Sequence, residues 1–380
     1  MTAQVWLPGS GPLVIPEPGW AARYPPPTSR RVYAAAHVAA APGRDREVID
    51  WESTMRFRDH LWAHGFGVAE AMDTAQRGMG LSWDQARELI ARSAALAAER
   101  GAPLACGVGT DQLPDEANHS IARITGAYAE QLAFVRATGA DVILMASRAL
   151  AASARDARDY LRVYGELLRQ ADRPVILHWL GEAFDPALRG YWGSAEFGAA
   201  AEVVLELIQR ASGKVDGVKL SVLDAGREVA LRRRLPVGVR LYTGDDFNYA
   251  GLIRGDGEGH SDALLGTFAA ITAPAAAALA ALDAGDTTGY DAAMGPTVPL
   301  SQAIFEPPTF VYKVGVAFLA WLNGLQPHFV MLGGLQQQRP TRHLVRVFEL
   351  AAAARALSDP DLAAERMTVL LATVSGGERA

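Results

Sequence analysis

The chain has 380 residues, half of them hydrophobic, with 42 acidic against 36 basic side chains and a formal net charge of -6. That length holds one large α/β domain with additions or two ordinary domains, and basic residues scattered everywhere except Arg232 to Arg234 exclude the electrostatic footprint of a nucleic-acid binder. The single cysteine, Cys106, excludes an intramolecular disulfide and a cysteine-cluster metal site and fits a reducing cytoplasm. No basic start leads into an apolar N-terminal core, and no apolar run reaches the ~20 residues of a membrane span.

Residues 1–30 carry many prolines, among them Pro25, Pro26 and Pro27, and no sustained periodicity, which predicts an irregular arm. Short β-like runs follow, at Val32 to His37, Gly67 to Met72, Pro103 to Val108, Asp141 to Ala146, Pro174 to Trp179, Val215 to Ser221, Val237 to Thr243 and Ser261 to Phe268. Between them lie amphipathic stretches at Ser53 to His64, Ser82 to Arg100, Ile121 to Thr138, Ser153 to Gln170 and Ser194 to Ser212. Ser82 and Gln85 have the spacing of a capping box. Eight strands alternating with helices are the arithmetic of a (β/α)₈ TIM barrel over 31–270, and helical patterns beyond it predict a C-terminal helical extension over 271–380. An open doubly wound sheet is the rival, but no Gly-x-Gly-x-x-Gly follows the first strand. The glycine-rich Gly255 to His260 run precedes its strand, so it reads as a bottom turn rather than a phosphate cradle.

The sixth run, Val215-Asp216-Gly217-Val218-Lys219-Leu220-Ser221-Val222, sets one lysine in a greasy strand. Its two-residue period places Val218, Leu220 and Val222 on one face and Gly217, Lys219 and Ser221 on the other, so Lys219 points into the barrel. Burial there disfavours an ammonium, and a neutral amine can attack a carbonyl. Function in this fold belongs to the C-terminal ends of the strands. Those ends supply His37, then Asp73, Thr74, Gln76 and Arg77, then Ser147 and Arg148, then His178 and Trp179, and finally Asp245 and Asp246. Each also has a plain structural use: histidines in hydrogen-bonded core positions, aspartates as helix caps, arginines as surface charges.

The segment around Lys219 resembles the imine-forming strand of the dihydrodipicolinate synthase and N-acetylneuraminate lyase family of class I, Schiff-base aldolases. Pro174-Val175-Ile176-Leu177-His178-Trp179 stands where the family has Pro-Val-Ile-Leu-Tyr-Asn, Gly244-Asp245-Asp246 resembles its Gly-Asp-Asp, and Cys106-Gly107-Val108-Gly109 is similar to its strand-three segment. The resemblance implies a lyase of the aldolase or dehydratase type and a homo-oligomer, with Lys219 forming the imine. Two motifs depart: the family's Gly-Thr-Thr-Gly-Glu is here Asp73-Thr74-Ala75-Gln76-Arg77, and its tyrosine after strand four has no counterpart in Ala146-Ser147-Arg148-Ala149. By chemistry His178 substitutes as proton carrier. Asp73, Thr74, Trp179, Asp245 and His37 are the expected substrate contacts, and Arg148 or Arg77 the expected anion holder.

The expected reaction is therefore class I lyase chemistry on a small hydroxylated oxo acid or keto sugar, with no metal or organic cofactor and no nucleic-acid or membrane partner. Two alternatives keep the barrel. His37, Asp73, His178 and Asp245 could surround a divalent metal, as in sugar isomerases and epimerases, or the barrel could bind without catalysis.

Overall fold

The structure is a computed structural model and describes residues 3–114 and 119–377. Two strands, β1 (Gln4–Leu7) and β2 (Gly11–Val14), pair antiparallel near the N-terminus. The stretch expected to be irregular throughout therefore opens with a hairpin. After β3 (Val32–Ala35), the short β4 (Ala40–Ala41) and β5 (Val48–Ile49) form a second small ladder, followed by α1 (Trp51–Ala63).

The remaining strands are β6 (Gly67–Glu70), β7 (Leu104–Val108), β8 (Asp141–Leu144), β9 (Val175–Leu180), β10 (Val215–Ser221), β11 (Arg240–Thr243) and β12 (Asp262–Leu265). With β3 they close into an eight-stranded barrel, every neighbouring pair parallel. The connecting helices are α2 (Trp83–Arg100), α3 (Ile121–Thr138), α4 (Arg148–Ser153), α5 (Ala157–Gln170), α6 (Phe197–Arg210), α7 (Ala225–Arg232) and α8 (Tyr249–Arg254). Caps set their ends. Ser82 and Gln85 make both bonds of the predicted capping box, and Gly101 closes α2 with a φ of 59°, a left-handed turn that glycine adopts without Cβ strain. The fourth helix begins later than predicted because Ala154 is extended and Asp156 starts a new cap, leaving α4 separate from α5.

Among the described residues six helices follow the barrel: α9 (Thr272–Asp283), α10 (Thr287–Met294), α11 (Thr297–Ile304), α12 (Lys313–Leu322), α13 (Thr341–Ala353) and α14 (Pro360–Gly377). No single helix among the described residues is long and apolar enough to cross a membrane. The chain forms two compact units, one of Arg30–Ala36 and Gly67–Leu265, the other of residues up to Ser29, His37–Phe66 and Gly266 onward. In the second unit the Asp283 carboxylate accepts from the backbone N–H of Thr28 and of Ser29, both at 2.8 Å, which ties the proline-rich arm to α9.

Inside the barrel, Tyr33, Ala69, Ala105, Ile143, Ile176, Tyr242 and Leu264 form the buried core. The two tyrosines fit because glycines leave them room: a Cβ on Gly67 would lie 2.6 Å from the Tyr33 ring, and one on Gly217 would lie 2.7 Å from the Tyr242 ring. Below this layer the floor is ionic. Asp216 accepts the Tyr242 hydroxyl at 2.5 Å and pairs with Arg240 at 3.0 Å, while Arg240 also reaches Asp262 at 3.2 Å. The polar groups of the floor thus satisfy one another. The Gly255 to His260 run is the predicted bottom turn: Asp256 accepts from the N–H of Glu258 and Gly259 and pairs with Arg232 at 2.7 Å. Arg233 pairs with Glu258 at 2.8 Å and Arg234 with Glu202 at 2.7 Å, so the three-arginine run is spent on local carboxylates.

Candidate active site

Lys219 is the central inward residue of β10, in register with His178 on β9 and Tyr242 on β11. Its side chain is 5% exposed. Burial pulls its pKa below that of an ordinary amine, and the carboxylates of Asp73 and Asp246 pull it back up. The amine is therefore easier to deprotonate than a surface lysine, while the charge of two carboxylates favours a cation at Nζ.

Gly244 makes space for this side chain. A Cβ there would lie 3.1 Å from Lys219 Cε, 2.9 Å from the Leu220 carbonyl oxygen and in collision with Ser221 Oγ. Gly244→Ala must push the strand-seven loop or the lysine aside. A displacement near 1 Å costs about 10²-fold in reactions that depend on alignment. We expect that loss in Lys219 modification by a carbonyl reagent, with the circular dichroism spectrum retained.

His178 is 2% exposed, and its Nε2 lies 3.3 Å from Ser221 Oγ on the neighbouring strand. Among the described residues its Nδ1 has no hydrogen-bond partner. Burial, then the charge of Lys219, hold its pKa well below the usual imidazole value, against an opposing pull from Asp73. His178 is thus a neutral imidazole with a lone pair one strand away from the amine.

Asp73 and Thr74 open a single 3-10 turn, Asp73–Ala75, that follows β6 and ends in a left-handed Gln76 with φ of 62°. The loop is anchored by Arg77, whose Nε and Nη2 donate to the two oxygens of Asp111 at 3.0 and 2.8 Å. Its Nη1 donates to the carbonyls of Ala71 at 3.2 Å and Gly107 at 2.6 Å, and Nη2 also reaches Gln131 Oε1. All five N–H donors of the guanidinium are occupied. Arg77 is therefore a strut between the strand-two and strand-three loops, which corrects its expected use as an anion holder.

The other expected residues divide. Arg148 heads α4 and pairs with Asp185 at 2.6 Å, with a side chain 44% exposed. Trp179 lies on the face of β9 opposite His178, stacked on Phe197 of α6 at 4.9 Å, so it packs helix to sheet rather than facing the lysine. The Asp245 carboxylate accepts from the N–H of Phe247 and Asn248 and from the Asn248 amide, which makes it the cap of its loop. It is the next residue, Asp246, whose charge acts on Lys219. His37 falls in the other compact unit, where Nε2 lies 2.7 Å from Gln326 Oε1 and burial pushes its pKa down to about 4.

At the end of strand four no tyrosine occupies residues 146–149, yet three tyrosine hydroxyls converge on this backbone from outside. Tyr191 accepts the Ser147 N–H at 3.0 Å, Tyr164 lies 2.9 Å from Tyr191, and Tyr128 donates to the Met145 carbonyl at 2.5 Å. Burial raises all three pKa values, that of Tyr128 to about 12, so these groups stay protonated and act as buttresses. The hydroxyls on the strand ends themselves are Thr110 and Ser147, 2.6 Å apart.

Glu228 on α7 is 1% exposed and receives the hydroxyls of Ser261 at 2.7 Å and Thr243 at 2.9 Å. Burial lifts its pKa to about 8 from an ordinary 4.5. A carboxyl whose folded pKa is raised binds a proton in the folded state that the unfolded chain has released, so its stabilising effect is complete below pH 4.5 and is lost as pH rises toward 8. The slope over that window is about 1.4 kcal/mol per pH unit. Glu228→Gln keeps the shape without the titration, so thermal melts of the variant should flatten between these pH values and exceed wild type on the alkaline side.

Comparison with solved structures gives dihydrodipicolinate synthases. The enzyme from Bacillus clausii matches with a TM-score of 0.65 at 16% identity, covering 85% of this chain and 97% of its own. That from Thermotoga maritima matches at 0.64 and 14% identity, covering 87% and 100%, and that from Oceanobacillus iheyensis at 0.63 and 15%, covering 85% and 95%. At these identities the likeness establishes the fold, a barrel with a helical C-terminal extension. No curated protein sequence matches the chain. The family described as Protein of unknown function (DUF993) matches residues 13–376, nearly the whole length, and the chain belongs to that family.

Proposed function

We propose that the protein is a class I lyase of the aldolase or dehydratase type, in which Lys219 forms an imine with a small hydroxylated oxo acid or keto sugar. The observation that carries this reading is a shielded amine, Lys219, with neutral His178 in register beside it and the carboxylates of Asp73 and Asp246 acting on it. The Nζ lone pair adds to the carbonyl carbon, one proton is taken up from solvent as the oxygen departs as water, and a protonated imine remains; its hydrolysis later returns that proton. In the direction of aldol cleavage the β-hydroxyl proton passes to a base, the bond between α and β carbons breaks to release an aldehyde or ketone, and its electron pair ends on the imine nitrogen as an enamine. His178 can take that proton because its ring is neutral. Protonation of the enamine at the α carbon and hydrolysis return the amine.

The metal alternative has less support. A His-x-x-x-His spacing exists at His60 and His64, with rings 4.5 Å apart, but it lies around the end of α1 in the other unit. No group of three or more metal-ligating side chains occurs among the described residues. A binding barrel without chemistry would not need a buried amine and imidazole side by side, since each is costly to desolvate. Borohydride added to the wild-type protein with a mixture of oxo acids and hydroxylated ketones should fix a covalent adduct, visible as a mass gain on the Lys219 peptide. A protein unmodified by every carbonyl compound would sink this reading.

A further inference from the structure

We infer that His60 and His64 form a binding site for one divalent transition ion, Cu²⁺ or Ni²⁺, at the C-terminal end of α1. The two residues stand four apart, the spacing that brings side chains over one another on a helix, and their rings have centres 4.5 Å apart with 53° between the planes. His64 is the cap of the helix, and its Nδ1 lies 2.8 Å from the His60 carbonyl oxygen. A carbonyl only accepts, so Nδ1 carries the proton and Nε2 keeps the lone pair. Metal-bound histidines use this arrangement, one ring nitrogen donating to a backbone carbonyl while the other ligates. Among the described residues the His60 ring makes no hydrogen bond, so either of its nitrogens can turn toward His64. No nitrogen of either ring is both buried and unpaired, so the lone pairs face water that can complete a coordination shell.

The spacing selects the ion. A ligating nitrogen lies about 1.1 Å from its ring centre and about 2.0–2.1 Å from the metal, so two rings on one ion have centres about 4.5 Å apart at a right angle and about 5.1 Å apart at the tetrahedral angle. The observed 4.5 Å fits the right angle. Cu²⁺ and Ni²⁺ take that tetragonal shape with imidazole and water, whereas Zn²⁺ favours the tetrahedron. A bound ion clamps the last turn of α1, where the proline-rich arm is held: the Tyr24 N–H donates to the Ala63 carbonyl at 3.0 Å, and the Tyr24 ring centre lies 6.1 Å from that of His64. All these residues belong to one compact unit.

The test is titration of the untagged full-length protein, stripped with EDTA, with Cu²⁺ and with Ni²⁺. One equivalent of Cu²⁺ should give an electron paramagnetic resonance spectrum split by two imidazole nitrogens, a reading on wild type that needs no variant. His60→Asn removes a ring that makes no hydrogen bond, and it should weaken Ni²⁺ binding in calorimetry by about 10²-fold, the smaller end of what joining two ligands on one scaffold contributes. At a concentration that saturates wild type, Ni²⁺ should raise its melting temperature and leave that of the variant unmoved, because an ion stabilises the state that binds it. Isolated exposed histidines such as His260 and His328 offer one nitrogen each. A spectrum split by one nitrogen, or a Ni²⁺ affinity unaltered by His60→Asn, would therefore overturn the site. Zn²⁺ binding more tightly than Ni²⁺ would overturn the choice of ion.

Discussion

Lys219→Arg should give a folded protein that borohydride no longer labels, with turnover of any compound that wild type traps reduced by about 10⁴-fold or more, the scale of losing a covalent participant. The guanidinium remains protonated and cannot add to a carbonyl. It is also bulkier at its tip, in a slot where Gly244 already gives up its side chain to make room beside Lys219 Cε. Lys219→Met separates chemistry from folding, because an apolar isostere escapes the desolvation that a buried ammonium suffers. That variant should melt at or above the wild-type temperature and be equally inert. In wild type the rate should fall as pH drops through the Lys219 pKa, and burial sets that limb below the ordinary 10.5 of a free amine. Turnover retained in either variant would remove the imine from the mechanism.

The barrel was readable because its signal is local. All eight predicted strands occur within a few residues of their expected limits, and alternation along β10 is enough to turn Lys219 inward. The same rule separates His178 from Trp179: neighbours on one strand face opposite ways, so Trp179 turns to the helix side. Loops have no such period. Which aspartate of Gly244-Asp245-Asp246 caps the turn and which acts on the amine depends on a bend that the residue types do not specify. His37 illustrates a longer reach, since its partner Gln326 lies 289 positions away. Glycines also carried unread information, because Gly67, Gly217 and Gly244 are small for the sake of Tyr33, Tyr242 and the Ser221–Lys219 pair that lie over them.

Arg77 is the residue whose expected role changed most, and removing it should have the largest effect on stability. Arg77→Ala strips the partner from Asp111, whose side chain is 20% exposed, and from two backbone carbonyls and Gln131. Breaking a buried pair from one side costs about 3–5 kcal/mol; of side-chain partners Asp111 keeps only the Gln131 amide at 2.9 Å and Gln131 Oε1 keeps only the Gly109 N–H at 2.7 Å, while the Ala71 and Gly107 carbonyls lose the guanidinium. At roughly 2–4 °C per kcal/mol for a domain of this size, the midpoint of thermal unfolding should fall by about 10 °C. Arg77→Lys should recover only part of the loss, since an ammonium cannot reproduce the fork that spans both Asp111 oxygens. Burial alone would raise the pKa of Asp111, and the guanidinium more than offsets that, so the folded-state pKa lies below the ordinary 3.8. The pair's stabilisation is then present above pH 3.8 and lost as pH falls through the lower folded value. Arg77→Ala should accordingly lose the Asp111 share of its deficit in strong acid and keep the share from the Ala71 and Gly107 carbonyls and Gln131. The strut also fixes the start of the Asp73–Thr74 turn through the Ala71 carbonyl, while Lys219 is held independently on β10. The alanine variant should therefore still form the borohydride adduct at Lys219 while losing selectivity among carbonyl compounds. A variant that lost adduct and selectivity together would mean that this loop holds the amine itself rather than the substrate.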